Sequence, residues 1–466
     1  MQTTHLLSLD AFRGLTMAAM ILANNPGSWS HIYPPLEHAH WHGWTLTDLI
    51  FPFFLFIVGV AVPFSQAARQ ARGDSRATLA LGVVSRAMAL VLLGLVLSGV
   101  PGSQPATLPD GFGWLRSLQI AVVVFLPIAF VLLLWPWRSP RVAAVVVLVV
   151  AAAYVGLFLL IRRAVDDAEA MMPQFQFGNG LLDPRTSRFP GVLQRIGVCY
   201  LIAGLANLAL SRLGVAMLAV ALCAGYAVLM GHVSFNGSVP GSYERDSNLA
   251  HAIDAWVFGP HAYRSYADPE GLLSTLPAAA TALLGLLAGH LLRAADPPAE
   301  RCARLMVWGL ALACIGVLFD WWLVPINKQL WTPSFVTLTA GLACLTLGAM
   351  FYAIDFRGHR VAAIPLAAFG MNAILVFLLS GIIGRVMGLF QVPVTWLPPT
   401  WHALGEPKAI GLRTVLTSWT QHLYRSLLPF AAQTAEAYSL AYAVAFLTIL
   451  WLLCLALYKL RWTVRV

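Results

Sequence analysis

Residues 8–59, SLDAFRGLTMAAMILANNPGSWSHIYPPLEHAHWHGWTLTDLIFPFFLFIVG, decide the fold: two apolar runs that hold polar groups and are joined by a histidine-rich loop. As helices, the runs at 11–30 and 47–67 are each long enough to cross the ~30 Å hydrocarbon layer of a bilayer. Arg13, Asn24 and Asp48 stand in or at the ends of these runs. An unpaired charge at such a depth costs at least about 2.5 kcal/mol, so groups of this kind mark an internal, site-lining surface.

Working outward, the whole chain follows the same regime. With 59% hydrophobic and 11% charged residues and a mean hydropathy of +0.75, 466 residues cannot hide their apolar surface in a water-soluble globule. The expected fold is all-α, a polytopic integral membrane protein forming a single domain over 1–466. The net charge of +9 invites a nucleic-acid reading, but the 29 Lys and Arg are scattered in small groups between apolar spans. That distribution is a topology signal, and no nucleic-acid partner is expected.

Further apolar windows fall at 78–100, 113–135, 142–161, 190–211, 215–232, 272–293, 304–325, 334–353, 362–385 and 438–459, giving about twelve spans, with eleven as the alternative count. Alternate short loops carry the basic residues, among them Arg69, Arg72, Arg76, Arg212, Arg293 and Arg301. The positive-inside rule places these loops and both termini in the cytoplasm. Loops 162–189, 233–271 and 386–437 hold most of the acids and face outside, together with the histidine loop. Asp10 and Arg13 interrupt the start of the first span and Asn24-Asn25-Pro26 is a poor cleavage site, so this span is expected to stay as a helix rather than a cleaved signal. None of the six cysteines falls in an external loop, and no disulfide framework is implied.

The loop segment EHAHWHG puts His38, His40 and His42 at alternate positions. A neutral imidazole suits general-base work near pH 7. Metal binding and a plain solvated loop are the other readings, and since the spacing matches no standard metal motif, no metal is expected. Gln194 and Arg195 in RFPGVLQRIGVCY lie several residues inside a span, where they either face a polar cavity or snorkel to the interface. Asn327 and Lys328 in VPINKQLWTPSFVT sit in a tight external turn, and Asn372 in GMNAILVF falls mid-span, as an interhelical hydrogen bonder or a substrate contact. Asp320 and Arg86 are read as a buried pair or as ligand contacts.

SLDAFRG, Asn24, HAHWHGWTLTDLIFPFFLFIVG, FPGVLQRIGV, DPEGLLSTL, PINKQLWTPSFVT and GMNAILV occur in the order seen in the heparan-α-glucosaminide N-acetyltransferase family, which the chain resembles over nearly its whole length. The resemblance implies acetyl transfer across a membrane, from cytoplasmic acetyl-CoA as co-substrate to the amino group of a glucosamine-type sugar on the far side, in a bacterial inner membrane. It also implies a homodimer. The family's H-A-x-W-x-G motif matches its catalytic histidine to His38, and Asn24 matches an asparagine that acts beside it. His40 and His42 stand where the lysosomal pattern has serine and asparagine.

The expected site is therefore His38, Asn24 and Asp48 for catalysis, and Arg13, Arg195 and Gln194 for the coenzyme, whose phosphates need cations or helix N-termini. Asn327, Lys328, Asn372 and His42 are expected at the acceptor. An amino-sugar permease and a sugar O-acetyltransferase are the competing functions. A permease gains nothing from the His38 loop, and an O-acetyltransferase would take a hydroxyl acceptor.

Overall fold

The computed structural model describes residues 6–98, 125, 128–130, 132–133, 139–264, 267–389, 391–398 and 409–463, apart from 172–187. It is α-helical, with one short antiparallel pair of strands, β1 (Gln391–Pro393) and β2 (Ala409–Gly411). The helices are α1 (Leu7–Asn24), α2 (Ile50–Gln70), α3 (Arg76–Ser98), α4 (Pro140–Met171), α5 (Val192–Ala209), α6 (Arg212–His232) and α7 (Leu249–Val257). They continue with α8 (Thr275–Leu292), α9 (Pro298–Trp322), α10 (Pro333–Met350), α11 (Arg360–Met371), α12 (Ala373–Leu389), α13 (Leu412–Leu427) and α14 (Ala435–Lys459).

Among the described residues, nine helices are long and apolar enough to cross a bilayer, and ten spans result if the bent pair α11–α12 counts as one. Helix α1 is not among these, because Asp10, Arg13 and Asn24 dilute its apolar character. It ends at Asn24, short of the expected residue 30, since Pro26 disfavours helix in the residue before it and offers no amide to continue the ladder. The window at 113–135 lies mostly outside the described residues. The expected span at 362–385 is broken at Asn372, with α11 and α12 meeting at 62°.

The spans differ in burial. Windows in α2, α3, α8 and α10 are 61–67% buried, whereas those in α4, α6 and α9 are 22% buried and point Leu148, Leu160, Val220 and Trp308 outward. Lipid tails are as apolar as leucine, so inner helices gain association energy from close packing of small residues. Helix α1 lies on α11 in this way, because a Cβ at Gly14 would collide with the carbonyl oxygen of Leu366 and one at Gly370 with that of Asp10. Gly59 and Gly285 bring α2 and α8 together likewise. At its start, α1 donates the Leu7 and Ser8 amides to the Asp355 carboxylate, at 3.2 and 3.1 Å. A carboxylate at a helix N-terminus also complements the helix dipole.

Candidate active site

The segment Thr45-Leu46-Thr47-Asp48 is a capping box at the entry to α2, and this local geometry fixes where Asp48 points. Its Oδ2 accepts from the Thr45 amide at 3.0 Å, the Thr45 hydroxyl at 3.2 Å and the Ala39 amide at 3.0 Å. Oδ1 is left for His38 Nδ1 at 2.7 Å and Lys328 Nζ at 3.2 Å. Asp48 is 1% exposed, while the His38 side chain is 55% exposed. With Nδ1–H donating to Asp48, and Lys328 donating to the same oxygen, the Nε2 lone pair of His38 is presented as a base.

Lys328 arrives from the loop between α9 and α10, with Nζ 3.0 Å from His38 Nδ1. Its turn is tied down from within. Asn327 is fully buried, accepts the Leu330 amide at 3.0 Å and donates through Nδ2 to the Trp41 carbonyl at 3.0 Å. Trp331 sits in the left-handed region at φ +53°, a strained conformation for a bulky side chain that costs about 1–3 kcal/mol. It is held there by its indole N–H donating to Thr281 Oγ1 at 3.1 Å and by edge contacts to Phe51 and Phe335. Burial pulls the Lys328 ammonium below the usual lysine range, and Asp48 works against that pull.

A second charged group borders the same opening. Arg188 donates to both Asp268 oxygens, at 2.9 and 2.6 Å, and to Glu270, while stacking on Tyr263 at 4.9 Å. These partners hold the Arg188 guanidinium further into its charged form, against burial. Arg245 donates to the His40 carbonyl at 2.7 Å and stacks on Trp41 at 5.1 Å.

Both groups look into a cavity of about 1540 Å³. Asp10, Arg13, Met17, Met20 and Asn24 line it along α1, and Phe51, Phe54, Val58, Ala61, Ser65 and Arg69 along α2, so the cavity follows both helices from end to end. Opposite the His38 end it is walled by Arg13, Arg69, Arg72, Arg293 and Arg301. Arg13 pairs with Asp10 at 3.0 Å, and Arg69 with Asp74 at 2.8 Å.

Of the residues singled out from sequence, His38, Asn24, Asp48, Lys328 and Arg13 line this cavity, whereas Gln194, Arg195, Asn327, Asn372 and His42 are not among its lining. Arg195 is 2% exposed and donates to the Gly271 carbonyl and the Ser274 hydroxyl, at 3.0 and 2.5 Å, with its guanidinium over Trp331. Gln194 donates to the Phe189 carbonyl at 3.1 Å. Both lie at the His38 end of α5 and brace that end, far from the arginines of the opposite mouth. Asn372 is fully buried at the α11–α12 break, and His42 meets Glu244 at 3.4 Å. Asp320 accepts the Ile326 amide at 2.6 Å, and Arg86 lies over the Tyr200 ring at 5.9 Å, so the two do not form the pair considered from sequence. Arg188, Glu270, Tyr263 and Arg245 were missed. The RFPG and DPEG stretches were visible, but a single sequence does not show that residues 80 apart meet. Among the described residues, no group of three or more His, Cys, Asp or Glu is arranged to hold a metal.

Parts of the chain are similar to known proteins. Residues 6–174 match the family described as heparan-alpha-glucosaminide N-acetyltransferase, catalytic. The chain is 25% identical over 401 residues to the heparan-alpha-glucosaminide N-acetyltransferase of Homo sapiens, covering 80% of this chain and 52% of that protein. The Mus musculus protein of the same name is 25% identical over 389 residues, with 79% and 52% covered. The chain thus spans about half the length of the curated relatives it matches. The stretch matched to the family, residues 6–174, carries Asn24, His38 and Asp48, which line one cavity, and over it the chain is similar to the catalytic part of heparan-α-glucosaminide N-acetyltransferases.

Proposed function

We propose that this protein is a transmembrane N-acetyltransferase that moves the acetyl group of acetyl-CoA to the amine of a glucosamine-type sugar, at opposite ends of one cavity. The observation that carries this reading is the continuity of that cavity between a His38–Asp48–Lys328 cluster and an arginine-lined mouth. Its volume of about 1540 Å³ exceeds the ~300–1,000 Å³ of a site for one small molecule, as two substrates require. The arginine mouth suits the coenzyme's phosphates. In this reading the mouth faces the cytoplasm and the His38 end the exterior of a bacterial inner membrane, an orientation that the Lys and Arg bias of the short loops supports.

The chemistry follows from the groups present. His38 Nε2 takes a proton from the sugar ammonium, and Asp48, fixed by its capping box, stabilises the imidazolium. The freed amine attacks the thioester carbonyl, and Asn24 on the cavity wall donates to the developing oxyanion. The C–S bond then breaks as the amide forms. The departing thiolate takes the extra proton of the adduct nitrogen, leaving the neutral amide and the free thiol, and His38 releases to solvent the proton it took from the ammonium, which returns the base to its starting state. Transfer is direct, within a complex holding both substrates, because an acetyl-imidazole would be labile and an amine needs only modest activation.

The test is purified protein incubated with labelled acetyl-CoA and a panel of amino sugars and hydroxyl-only sugars. N-acetylated product with intersecting initial-rate lines supports the reading. Label confined to hydroxyls, uptake without acetylation, or a stoichiometric acetyl group on His38 with parallel lines would each overturn part of it. Cysteines introduced at positions 35 and 72 give the sidedness, since only the former should react with an impermeant thiol reagent outside intact cells.

A further inference from the structure

The chain carries 29 Lys and Arg, and only three of them are lysines, Lys328, Lys408 and Lys459. The rest of that count are arginines, including those that wall the mouth opposite His38. Arginine stays charged and offers a carboxylate a planar fork of donors, so it would serve Asp48 at least as well if a fixed cation were all that the site required. Lysine differs in one chemical respect: its amine can give up a proton and become a nucleophile.

The surroundings of Lys328 meet the conditions for that chemistry. Nζ lies 3.0 Å from His38 Nδ1 and 3.2 Å from Asp48 Oδ1, so the base proposed to deprotonate the acceptor amine is already beside an amine of the protein. The backbone of the turn is locked by Asn327 and Trp331, whereas the Lys328 side chain is 21% exposed and lines the cavity together with His38. The two nitrogens of an imidazole ring are separated by a single carbon, so Nζ stands within one side-chain rotation of the place beside Nε2 where the acceptor amine meets the thioester. Among the described residues, Lys328 is the one lysine on the cavity wall.

We infer that Lys328 is a self-acetylation site: with the donor bound and no amino sugar present, the acetyl group passes to Nζ and switches the enzyme off. This rests on the acetyl-CoA reading above and adds a regulation of the same site. The Lys328 ammonium gives a proton to His38, whose imidazolium Asp48 stabilises, and the neutral Nζ attacks the thioester carbonyl. The N–C bond forms, the C–S bond breaks, the departing thiolate takes the extra proton of the adduct nitrogen, and His38 releases its own proton to solvent. The products are an acetyl amide on Nζ and the free thiol. Acetylation removes the lysine charge, so the ion pair with Asp48 is lost, and the added group lies in the space that the acceptor needs. A bound acceptor amine takes the thioester first and protects the lysine.

The experiment incubates purified protein in lipid nanodiscs with acetyl-CoA and no sugar, and follows two readouts over time: acetyl groups mapped by peptide mass, and the transfer rate that remains when an amino sugar is then added. Lys328 is expected to gain one acetyl group that hydroxylamine does not remove, as an amide and not an acetyl-imidazole, with the transfer rate falling in step toward complete loss. Lys459, exposed at the end of α14, reports uncatalysed acetylation in the same sample and should lag far behind. A saturating amino sugar present from the start should keep Lys328 unmodified, and His38→Ala should slow its acetylation to the rate at Lys459. In protein that transfers acetyl to amino sugars, Lys328 left unmodified or modified no faster than Lys459 overturns the inference and leaves the proposed function intact. Full acetylation of Lys328 with no loss of transfer does the same, as does unslowed acetylation in His38→Ala. Absence of transfer to any sugar overturns the proposed function, alone if Lys328 is acetylated and together with the inference if it is not.

Discussion

Asp48→Asn tests the proposed chemistry most directly, because it changes one atom in a buried carboxylate that serves five donors. The amide retains one acceptor oxygen, and the backbone amides of Ala39 and Thr45 claim it through the capping box, so the NH₂ group faces His38 Nδ1 and Lys328. An NH₂ cannot accept from Nδ1–H. The ring is driven to the tautomer that accepts at Nδ1, which puts the proton on Nε2 and removes the base. One charge-assisted hydrogen bond is worth about 1.5–3 kcal/mol, or roughly 10- to 150-fold in rate. The expected result is a fall of about 100-fold in the maximal rate of acetyl transfer, with acetyl-CoA affinity held within a few-fold, since the arginines proposed to take the coenzyme's phosphates lie at the opposite end of the cavity. Steady-state rates with labelled acetyl-CoA and a saturating amino sugar provide the measurement. A melting temperature within a few degrees of wild type shows that lost activity is not lost fold. A variant that keeps more than a third of the wild-type rate would refute the role of the dyad, as would His38→Ala retaining transfer.

Three other outcomes follow from the geometry. Asp254 in α7 is 1% exposed, and burial pushes its carboxyl up to about 7. A raised folded-state value stabilises the fold at low pH and loses that contribution as pH rises through about 7, so up to ~4 kcal/mol disappears between pH 4 and 8. Wild type should therefore lose more thermal stability than Asp254→Asn between pH 5 and pH 8, and equal losses would show that Asp254 titrates normally. Asn327→Ala removes the partner of the Trp41 carbonyl and the Leu330 amide, and should cost about 1–3 kcal/mol of stability while releasing Lys328 and slowing transfer. Gly370→Ala drives a methyl group into the carbonyl of Asp10 and should destabilise by about 1–3 kcal/mol, whereas Gly156→Ala, with open space around it, should be neutral or better in the same detergent melts.

The sequence by itself determined the solvent, most of the span positions and the half of the site that is local. Hydropathy acts over about twenty consecutive residues, so apolar windows become helices wherever neighbours agree, as α2, α3, α6 and α8 do. Asp48 was legible for a similar reason, because its orientation comes from Thr45, three residues away. Neither signal carries information about partners distant in the chain. Lys328 reaches His38 across 290 residues, Arg188 reaches Asp268 across 80, and Arg86 faces Tyr200 from a different helix. Those meetings depend on which glycines let two backbones touch, as Gly14 and Gly370 do, and in a membrane an apolar side chain reads the same against lipid as against protein. The same ambiguity hid the turning of Arg195 into the protein and the 62° break at Asn372, since a buried arginine with backbone partners and a ligand-binding arginine are one letter in a sequence. Only the packed bundle separates them, because what lines a cavity is settled by the close approach of helices that the chain keeps far apart.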